Sequence, residues 1–208
     1  MKRSAIIYIG ILLTAACRPA APALEAGDLL FTVGGESGMS EAIRSATASQ
    51  GTLPYTHVGL LTERADSVIE ATSPEGVRIV PLADYLARAA RIEGRPCVTA
   101  KRYPDRRAAR AAVARARALV GAPYDDAFRA DNDRYYCSEL VWCCYRDTTG
   151  RPLFEARPMR FRDDTGRMPA YWTEHFAALG EPIPEGEPGT NPAAMAETPQ
   201  LKEVHRWF

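Results

Sequence analysis

The sequence predicts an α+β domain in which helices pack on one side of a largely antiparallel sheet. β-type segments and helical patterns follow one another in a mixed order, and two of the β-type segments are separated by a turn short enough for a hairpin. The clearest helical patterns come after most of the strands, and no internal repeat is present. These observations favour a single mixed domain.

Composition and charge limit the possible functions. The chain has 208 residues, of which 46% are hydrophobic and 25% are charged, as in ordinary globular proteins. Lys and Arg number 26, and Asp and Glu also number 26, so the zero formal net charge argues against nucleic-acid binding and polybasic membrane binding. The absence of a long apolar run beyond the N-terminus excludes a multi-pass membrane protein. The 5 cysteines are too few for a disulfide-stapled scaffold.

The N-terminus has the pattern of a secretory signal. Residues 1–16 combine early positive charges, an apolar run and small residues before Cys17. Small residues directly before a cysteine also resemble the lipidation signal of bacterial lipoproteins, although Thr14 stands where leucine is usual. We therefore expect residues 1–16 to be a signal peptide and the exported chain to face the periplasm or the exterior in the cell envelope, anchored to the membrane by lipid on Cys17. Residues 17–26, rich in Pro and Ala, predict a tether.

Local patterns place the remaining elements. Strands are predicted where β-type residues are bounded by turn residues, at 27–33, 56–61, 67–71, 76–82 and 96–101. Helices are predicted at 40–47, 83–90, 105–120 and 136–146. The helix at 105–120 has the clearest ends, because it begins at Asp105 after a proline and closes at Gly121. Residues 180–199 are rich in Pro, Gly and Glu and predict an irregular wrap or a loose tail.

Metal and serine-hydrolase chemistry find little support in the sequence. The adjacent Cys143 and Cys144 lack the spacing of a zinc site, and no histidine lies three to five residues from another. The segment around Ser37 lacks the final glycine of a nucleophile elbow, because Met39 stands in its place. We therefore expect neither a metal nor a cofactor.

Cys137 is the candidate nucleophile. It begins a predicted helix, where the helix dipole and the unpaired N–H groups stabilise a thiolate and can receive an oxyanion. Cys143 and Cys144 lie deeper in the same apolar helix, where a thiol is inert. Cys97 lies on a predicted strand, and the sequence leaves open whether it pairs with Cys143 or Cys144. Taken alone, Cys137 would equally suit a small buried hydrophobic position.

A predicted hairpin supplies Cys137 with partners. If residues 63–66 form its loop, Thr62 pairs with Ser67, and side-chain alternation places His57 and Glu70 on one face as diagonal neighbours. A three-residue loop would break this parity. An acidic residue in an otherwise apolar strand is costly without a partner. The pair therefore suits a base and the group that orients it, which together with Cys137 forms a triad.

The motifs, in chain order, resemble a known family. They are Gly27-Asp28-Leu29-Leu30-Phe31, His57-Val58-Gly59, Val68-Ile69-Glu70-Ala71, Gly121-Ala122-Pro123-Tyr124-Asp125 and Tyr136-Cys137-Ser138-Glu139-Leu140-Val141. This order resembles the YiiX/YebB-like branch of the circularly permuted NlpC/P60 group of papain-like cysteine hydrolases. In unpermuted members the cysteine precedes the histidine, whereas here His57 precedes Cys137. The resemblance spans residues 27–192.

The resemblance implies a permuted papain-like α+β fold for residues 27–208, ending in the Pro/Gly-rich wrap. A helix would present Cys137 to a small barrel-like antiparallel sheet that bears His57. Carried over residue by residue, Cys137 is the nucleophile, His57 the general base and later acid, and Glu70 the third member. Weaker candidates for substrate binding are Ser138, Glu139, Asp28, Tyr55 and Tyr124.

The implied reaction is acyl transfer through a Cys137 acyl-enzyme, and the relatives suggest amide bonds in bacterial cell-wall peptides. The expected partner is a peptide or acyl substrate of the envelope. The charged segments 125–126 and 129–134, expected to approach Cys137, favour a zwitterionic peptide. The alternatives are a lipid-directed acyl hydrolase or acyltransferase and a catalytically inactive envelope binding domain. The acceptor and the oligomeric state stay open.

Overall fold

The computed structural model describes residues 23–35, 37–47 and 53–208. The expected signal peptide at residues 1–16 and the expected lipid on Cys17 lie outside this part of the chain. Within the described residues, no helix has both the length and the apolar character that crossing a membrane requires.

Six antiparallel strands form the main sheet. They are β1 (Leu29–Thr32), β2 (His57–Leu61), β3 (Ser67–Thr72), β4 (Gly76–Pro81), β7 (Val98–Arg102) and β10 (Lys202–Arg206). Their order is β10-β7-β1-β2-β3-β4, and each neighbouring pair is antiparallel. Two short pairs lie outside this sheet, β5 (Arg91–Ile92) with β6 (Arg95–Pro96) and β8 (Arg157–Pro158) with β9 (Pro188–Gly189). The α+β class with an antiparallel sheet is thus confirmed.

The described residues contain six helices. They are α1 (Gly38–Thr47), α2 (Leu82–Ala87), α3 (Arg106–Ala118), α4 (Cys137–Cys144), α5 (Ala170–Leu179) and α6 (Pro192–Ala196). The four predicted helices occur, with shorter ends in three of them. The Asp105 carboxylate caps α3 by accepting hydrogen bonds from the backbone N–H groups of Arg107 and Ala108.

Alternate residues of the strands face two separate hydrophobic clusters. On one face, Leu60 and Ile69 pack with α3 and α4, which bury residues such as Val113 and Leu140. On the other face, Leu61 and Val68 pack around Tyr85 of α2. Helices therefore cover one face as expected, while the short α2 covers part of the opposite face.

The C-terminal region is more regular than its composition predicts. The segment predicted as an irregular wrap or loose tail contains β9 and α6, and the chain then pairs with β7 as β10, at the edge of the sheet. The Asn191 side chain caps α6 by accepting from the Ala194 N–H, and Pro192 occupies the first turn, where a missing N–H costs nothing. These local signals organise a segment whose overall composition is typical of disorder.

Candidate active site

Cys137 is the first residue of α4, and the helix packs against β2 and β3. Leu140 and Val141 are fully buried, which fixes the helix on the sheet. The Cys137 side chain is itself largely buried but lines a cleft of about 680 Å³ together with His57. The nucleophile candidate and the base candidate therefore border on the same space.

His57 is the first residue of β2 and is bonded to Glu70 of β3. The distance between His57 Nε2 and Glu70 Oε2 is 2.8 Å. Leu60 pairs with Ile69 and Leu61 with Val68, which is the register that the hairpin parity requires. Since Nε2 is engaged by Glu70, Nδ1 is the ring nitrogen left to interact with Cys137.

Tyr85 of α2 holds the imidazole from the side. Its ring centroid lies 5.7 Å from that of His57, and its hydroxyl donates to the Leu30 carbonyl (2.7 Å). Gly59 leaves room for this packing, because a Cβ there would lie 2.5 Å from Val68 Cγ1 and 3.2 Å from Tyr85 Cε2. A side chain at this position would clash, which explains why the His57-Val58-Gly59 motif ends in glycine.

Two arginines neutralise the buried Glu70 carboxylate. Arg78 Nε donates to Glu70 Oε1 at 3.1 Å, and Arg88 Nη2 donates to the same oxygen at 2.6 Å. The side chain of Glu70 is 0% exposed, so an unpaired charge there would be very unfavourable. Neither arginine was predicted from the sequence, although Arg78 pairs directly with Glu70 across the antiparallel strands β3 and β4.

The pKa values of the pair move in opposite directions. Burial alone would lower the pKa of His57, but hydrogen bonds and charges from Cys137 and Glu70 outweigh it and raise that pKa to about 9. Burial alone would raise the pKa of Glu70, but His57 and Arg88 outweigh it and hold that pKa at about 2. At neutral pH the pair is therefore an imidazolium and a carboxylate.

The thiols of Cys97, Cys143 and Cys144 have different surroundings from that of Cys137. Burial raises the pKa of Cys143 to about 11 and that of Cys144 to about 12, and it also raises the pKa of Cys97. All of these cysteines are free, so Cys97 forms no disulfide with either neighbour on α4. None of them lines the wide cleft that Cys137 and His57 share.

A second, smaller cavity adjoins Cys137. It has a volume of about 60 Å³ and is lined by Cys137 and Ser138 but not by His57. Apolar side chains supply most of its wall: Ile43, Ala46, Phe128, Met159, Phe161 and Trp172. Tyr124 borders on both this cavity and the wider cleft. Nothing in the sequence patterns predicted the apolar cavity, since its lining comes from distant segments.

Three of the five candidate substrate-binding residues lie near Cys137. Tyr124 lines both cavities, and Ser138 lines the smaller one, where its hydroxyl oxygen accepts from Thr190 Oγ1 at 3.0 Å. Glu139 lines neither cavity, and its carboxylate accepts a long hydrogen bond (3.4 Å) from the Tyr136 N–H at the start of α4. Burial raises the pKa of Glu139 to about 8. Its place is therefore that of a helix cap.

The other two candidates lie elsewhere and do not line the described cavities. The Asp28 carboxylate is fully buried and accepts two hydrogen bonds from Arg102, from Nε at 2.7 Å and from Nη2 at 2.8 Å. Tyr55 is buried, and its hydroxyl donates to Thr99 Oγ1 at 2.7 Å. Both side chains have partners within the core and stabilise the fold, which corrects their assignment to substrate binding.

The charged segments 125–126 and 129–134 also differ from expectation. None of their residues lines the described cavities. The fully buried Asp125 carboxylate accepts from the Arg129 N–H at 2.6 Å and from Asn132 Nδ2 at 3.1 Å, so it closes its own loop. The charge of this loop therefore says nothing about the substrate.

A metal ion does not fit the donor groups of the site. Among the residues that the structure describes, no group of three or more His, Cys, Asp and Glu side chains could hold one. His57 and Glu70 are hydrogen-bonded to each other, and the guanidinium groups of Arg78 and Arg88 donate to the other oxygen of the Glu70 carboxylate. A cation placed there would meet two positive charges.

Comparisons with known proteins agree on one family. Residues 23–205 match a family model described as a permuted papain-like amidase enzyme of the YaeF/YiiX, C92 family. The uncharacterized protein YiiX of Escherichia coli strain K12 is 30% identical over 198 residues, which cover 86% of this chain and 85% of that protein. A crystal structure titled metalloprotein yiiX, from Escherichia coli O157:H7, is 26% identical with a TM-score of 0.69 and covers 88% of this chain and 98% of its own.

Proposed function

Because the chain belongs to the family of permuted papain-like amidases, we propose that it is a cysteine amidase with Cys137 as its nucleophile. One observation carries the proposal: Cys137 begins a helix beside an imidazole that is bonded to a buried carboxylate. The catalytic assignment is Cys137 as nucleophile, His57 as general base and acid, and Glu70 as the positioning residue.

The reaction follows from these positions. The Cys137 sulfur forms a bond to the amide carbonyl carbon, and the π electrons move to oxygen, where backbone N–H groups in the first turn of α4 stabilise the charge. The C–N bond then breaks, and the His57 imidazolium gives its proton to the departing amine. The product of this half-reaction is a thioester on Cys137 and a neutral imidazole.

Neutral His57 then accepts a proton from water as the water oxygen attacks the thioester carbon. Collapse of the second tetrahedral intermediate breaks the S–C bond, and the thiolate and imidazolium form again. Glu70 holds Nε2 throughout, so the ring presents Nδ1 to the sulfur, the amine and the water in turn. The negative charge of Glu70 favours each state in which His57 is protonated.

For the substrate, we propose an amide in an envelope peptide. The wide cleft supports this, because charged side chains of both signs, Glu75, Arg78 and Arg88, line it beside His57. Such a lining suits a zwitterionic ligand that bears free amino and carboxyl groups. Export and a lipid on Cys17, proposed from the sequence, would place the enzyme beside that substrate.

A lipid-directed acyl hydrolase is the second candidate, and the apolar cavity next to Cys137 is the observation in its favour. An envelope domain that binds without catalysis is the third. The three are separated by measuring amine release from muropeptides and fatty-acid release from phospholipid with one preparation. We expect amine release that Cys137→Ala abolishes and that the matched variant Cys143→Ala on the same helix retains.

Three other outcomes of this experiment would contradict the proposal in different ways. Cys137-dependent release of fatty acid without amine release would replace the peptide substrate with a lipid. Failure to release either product, from a folded protein, would favour the binding domain. Turnover that survives Cys137→Ala would overturn the catalytic assignment.

A further inference from the structure

Two cavities meet at Cys137, and His57 lines only one of them. The wide cleft of about 680 Å³ contains both residues, whereas the cavity of about 60 Å³ contains Cys137 without His57. Thr56 and Tyr124 border on both spaces. Cys137 therefore lies between the wide cleft, which His57 also lines, and the small cavity, which His57 does not line.

The chemistry assigns a different part of the substrate to each space. The departing amine takes its proton from His57, so it must lie on the His57 side, in the wide cleft. The acyl carbon stays bonded to the Cys137 sulfur after the amine has left. The substituent that this carbon carries therefore needs a space that borders on the sulfur away from His57, and the small cavity is such a space.

The wall of the small cavity selects for apolar groups. Phe128 and Phe161 pack edge-on against Trp172, with ring centroids 5.6 and 5.0 Å from the indole. Ile43 and Ala46 of α1 supply aliphatic surface. The lining also includes Arg157 and Arg160, but their side chains are 60% and 36% exposed, and their guanidinium groups lie within 4 Å of the carboxylates of Glu155 and Asp164.

The volume limits the length of the group. A cavity of about 150 Å³ is known to hold benzene in an apolar protein core. The cavity here, at about 60 Å³, is less than half of that size. It therefore covers a short aliphatic group but not the length of a fatty-acid chain.

We propose that this cavity binds the substituent on the acyl side of the cleaved amide, and that this substituent is a short aliphatic group such as the side chain of a small aliphatic amino acid. The proposal rests on the proposed function, because it places an acyl group on Cys137. It gives the enzyme a specificity on the acyl side that the polar cleft does not provide.

Straight-chain aldehydes test the cavity without turnover. The Cys137 sulfur adds to the aldehyde carbonyl: the S–C bond forms, the π bond breaks, and the carbonyl oxygen takes the proton of the His57 imidazolium. The alkyl chain then occupies the place of the acyl substituent. The measurement is protection of Cys137 from iodoacetamide by ethanal, butanal, octanal and dodecanal, read by mass of the Cys137 peptide.

We expect butanal to protect about tenfold better than ethanal, because each buried methylene adds roughly a factor of three to four in affinity. Octanal and dodecanal should protect less than butanal. Ala46→Leu, which fills the cavity, should remove the advantage of butanal. The matched change Ala114→Leu on the exposed face of α3 should leave the order of protection by the four aldehydes unchanged.

Met159→Ala provides an independent test, which can still be carried out if the Ala46→Leu variant does not fold. Met159 is only partly buried and lines the cavity, so its truncation should move the best protector from butanal to octanal. Equal protection by all four aldehydes, or best protection by dodecanal in the unaltered protein, would overturn the proposed cavity function. A Cys137 thiol that iodoacetamide does not modify would instead overturn the proposed function itself.

Discussion

His57 Nε2 and Glu70 Oε2 lie 2.8 Å apart, although 13 positions separate the two residues in the chain. The hairpin of β2 and β3 makes them diagonal neighbours on one face of the sheet. The carboxylate therefore fixes the rotation of the imidazole ring and stabilises its charged form. The remaining oxygen of Glu70 is held by Arg78 and Arg88, so that the carboxylate cannot turn away.

Glu70→Gln tests the role of this charge. The substitution keeps the shape of the side chain but removes the anion, so we expect kcat/KM to fall about tenfold, far less than the 10²- to 10⁴-fold or greater loss with His57→Ala. Losing a negative neighbour also lowers the pKa of His57 from about 9, so the basic limb of the pH–rate profile should move to lower pH. A fully active glutamine variant with an unchanged profile would mean that Glu70 is not the orienting group.

The same carboxylate links stability to acid pH. The pKa of Glu70 is about 2 in the folded protein, whereas its ordinary value, which applies to the unfolded chain, is 4.5. The stabilisation is therefore present above pH 4.5 and is lost as the pH falls through 2. The shift corresponds to about 3 kcal/mol of unfolding free energy. Urea titrations between pH 6 and pH 2 should show a steeper loss for the unaltered protein than for Glu70→Gln. Parallel curves would contradict this linkage.

The Asp28 carboxylate should affect stability and not catalysis. Asp28→Asn leaves the partly buried Arg102 facing a neutral group, and we expect about 3 kcal/mol of destabilisation with kcat/KM unchanged per folded molecule. Glu25→Gln is the matched control, because Glu25 bonds the same arginine from a solvent-exposed position. Its effect should stay below about 1 kcal/mol. A loss of kcat/KM in folded Asp28→Asn would return Asp28 to the site.

The mature N-terminus is expected at Cys17, with lipid attached. Intact mass of the protein purified from a bacterial membrane fraction measures this directly. A soluble species that begins at Arg18 or later would refute the lipid and leave export standing. The mass of an uncleaved chain in the cytoplasm would refute both.

The triad residues were predictable because local rules determine their placement. Side-chain alternation and the length of one loop place Glu70 beside His57, and the start of a helix places Cys137 at a dipole end. The structure places Cys137 and His57 on the wall of one cleft and hydrogen-bonds the buried Glu70 carboxylate to His57. Their catalytic roles stay predictions until the experiments are done.

The surroundings of the triad were less predictable, because they depend on contacts between distant segments. Arg88 reaches Glu70 from beyond the end of α2, and the apolar cavity combines residues of α1 with Phe161 and Trp172. The charged loop at 125–134 suggested a charged cleft wall, but Asp125 uses its carboxylate to close the loop. Strand β10 was not predicted, because an edge strand pairs with its neighbour through backbone hydrogen bonds, which amino-acid composition does not reveal.

Thiol labelling tests the central claim most directly. At neutral pH we expect iodoacetamide, read by peptide mapping of the folded protein, to modify Cys137 first, because it lies at the start of α4 beside the His57 imidazolium and borders on the wide cleft. Cys97, Cys143 and Cys144 should react much more slowly, since burial raises the pKa of each. His57→Ala should remove the preference for Cys137. Faster modification of Cys97 or Cys143 than of Cys137 in the unaltered protein would contradict the assignment of the nucleophile.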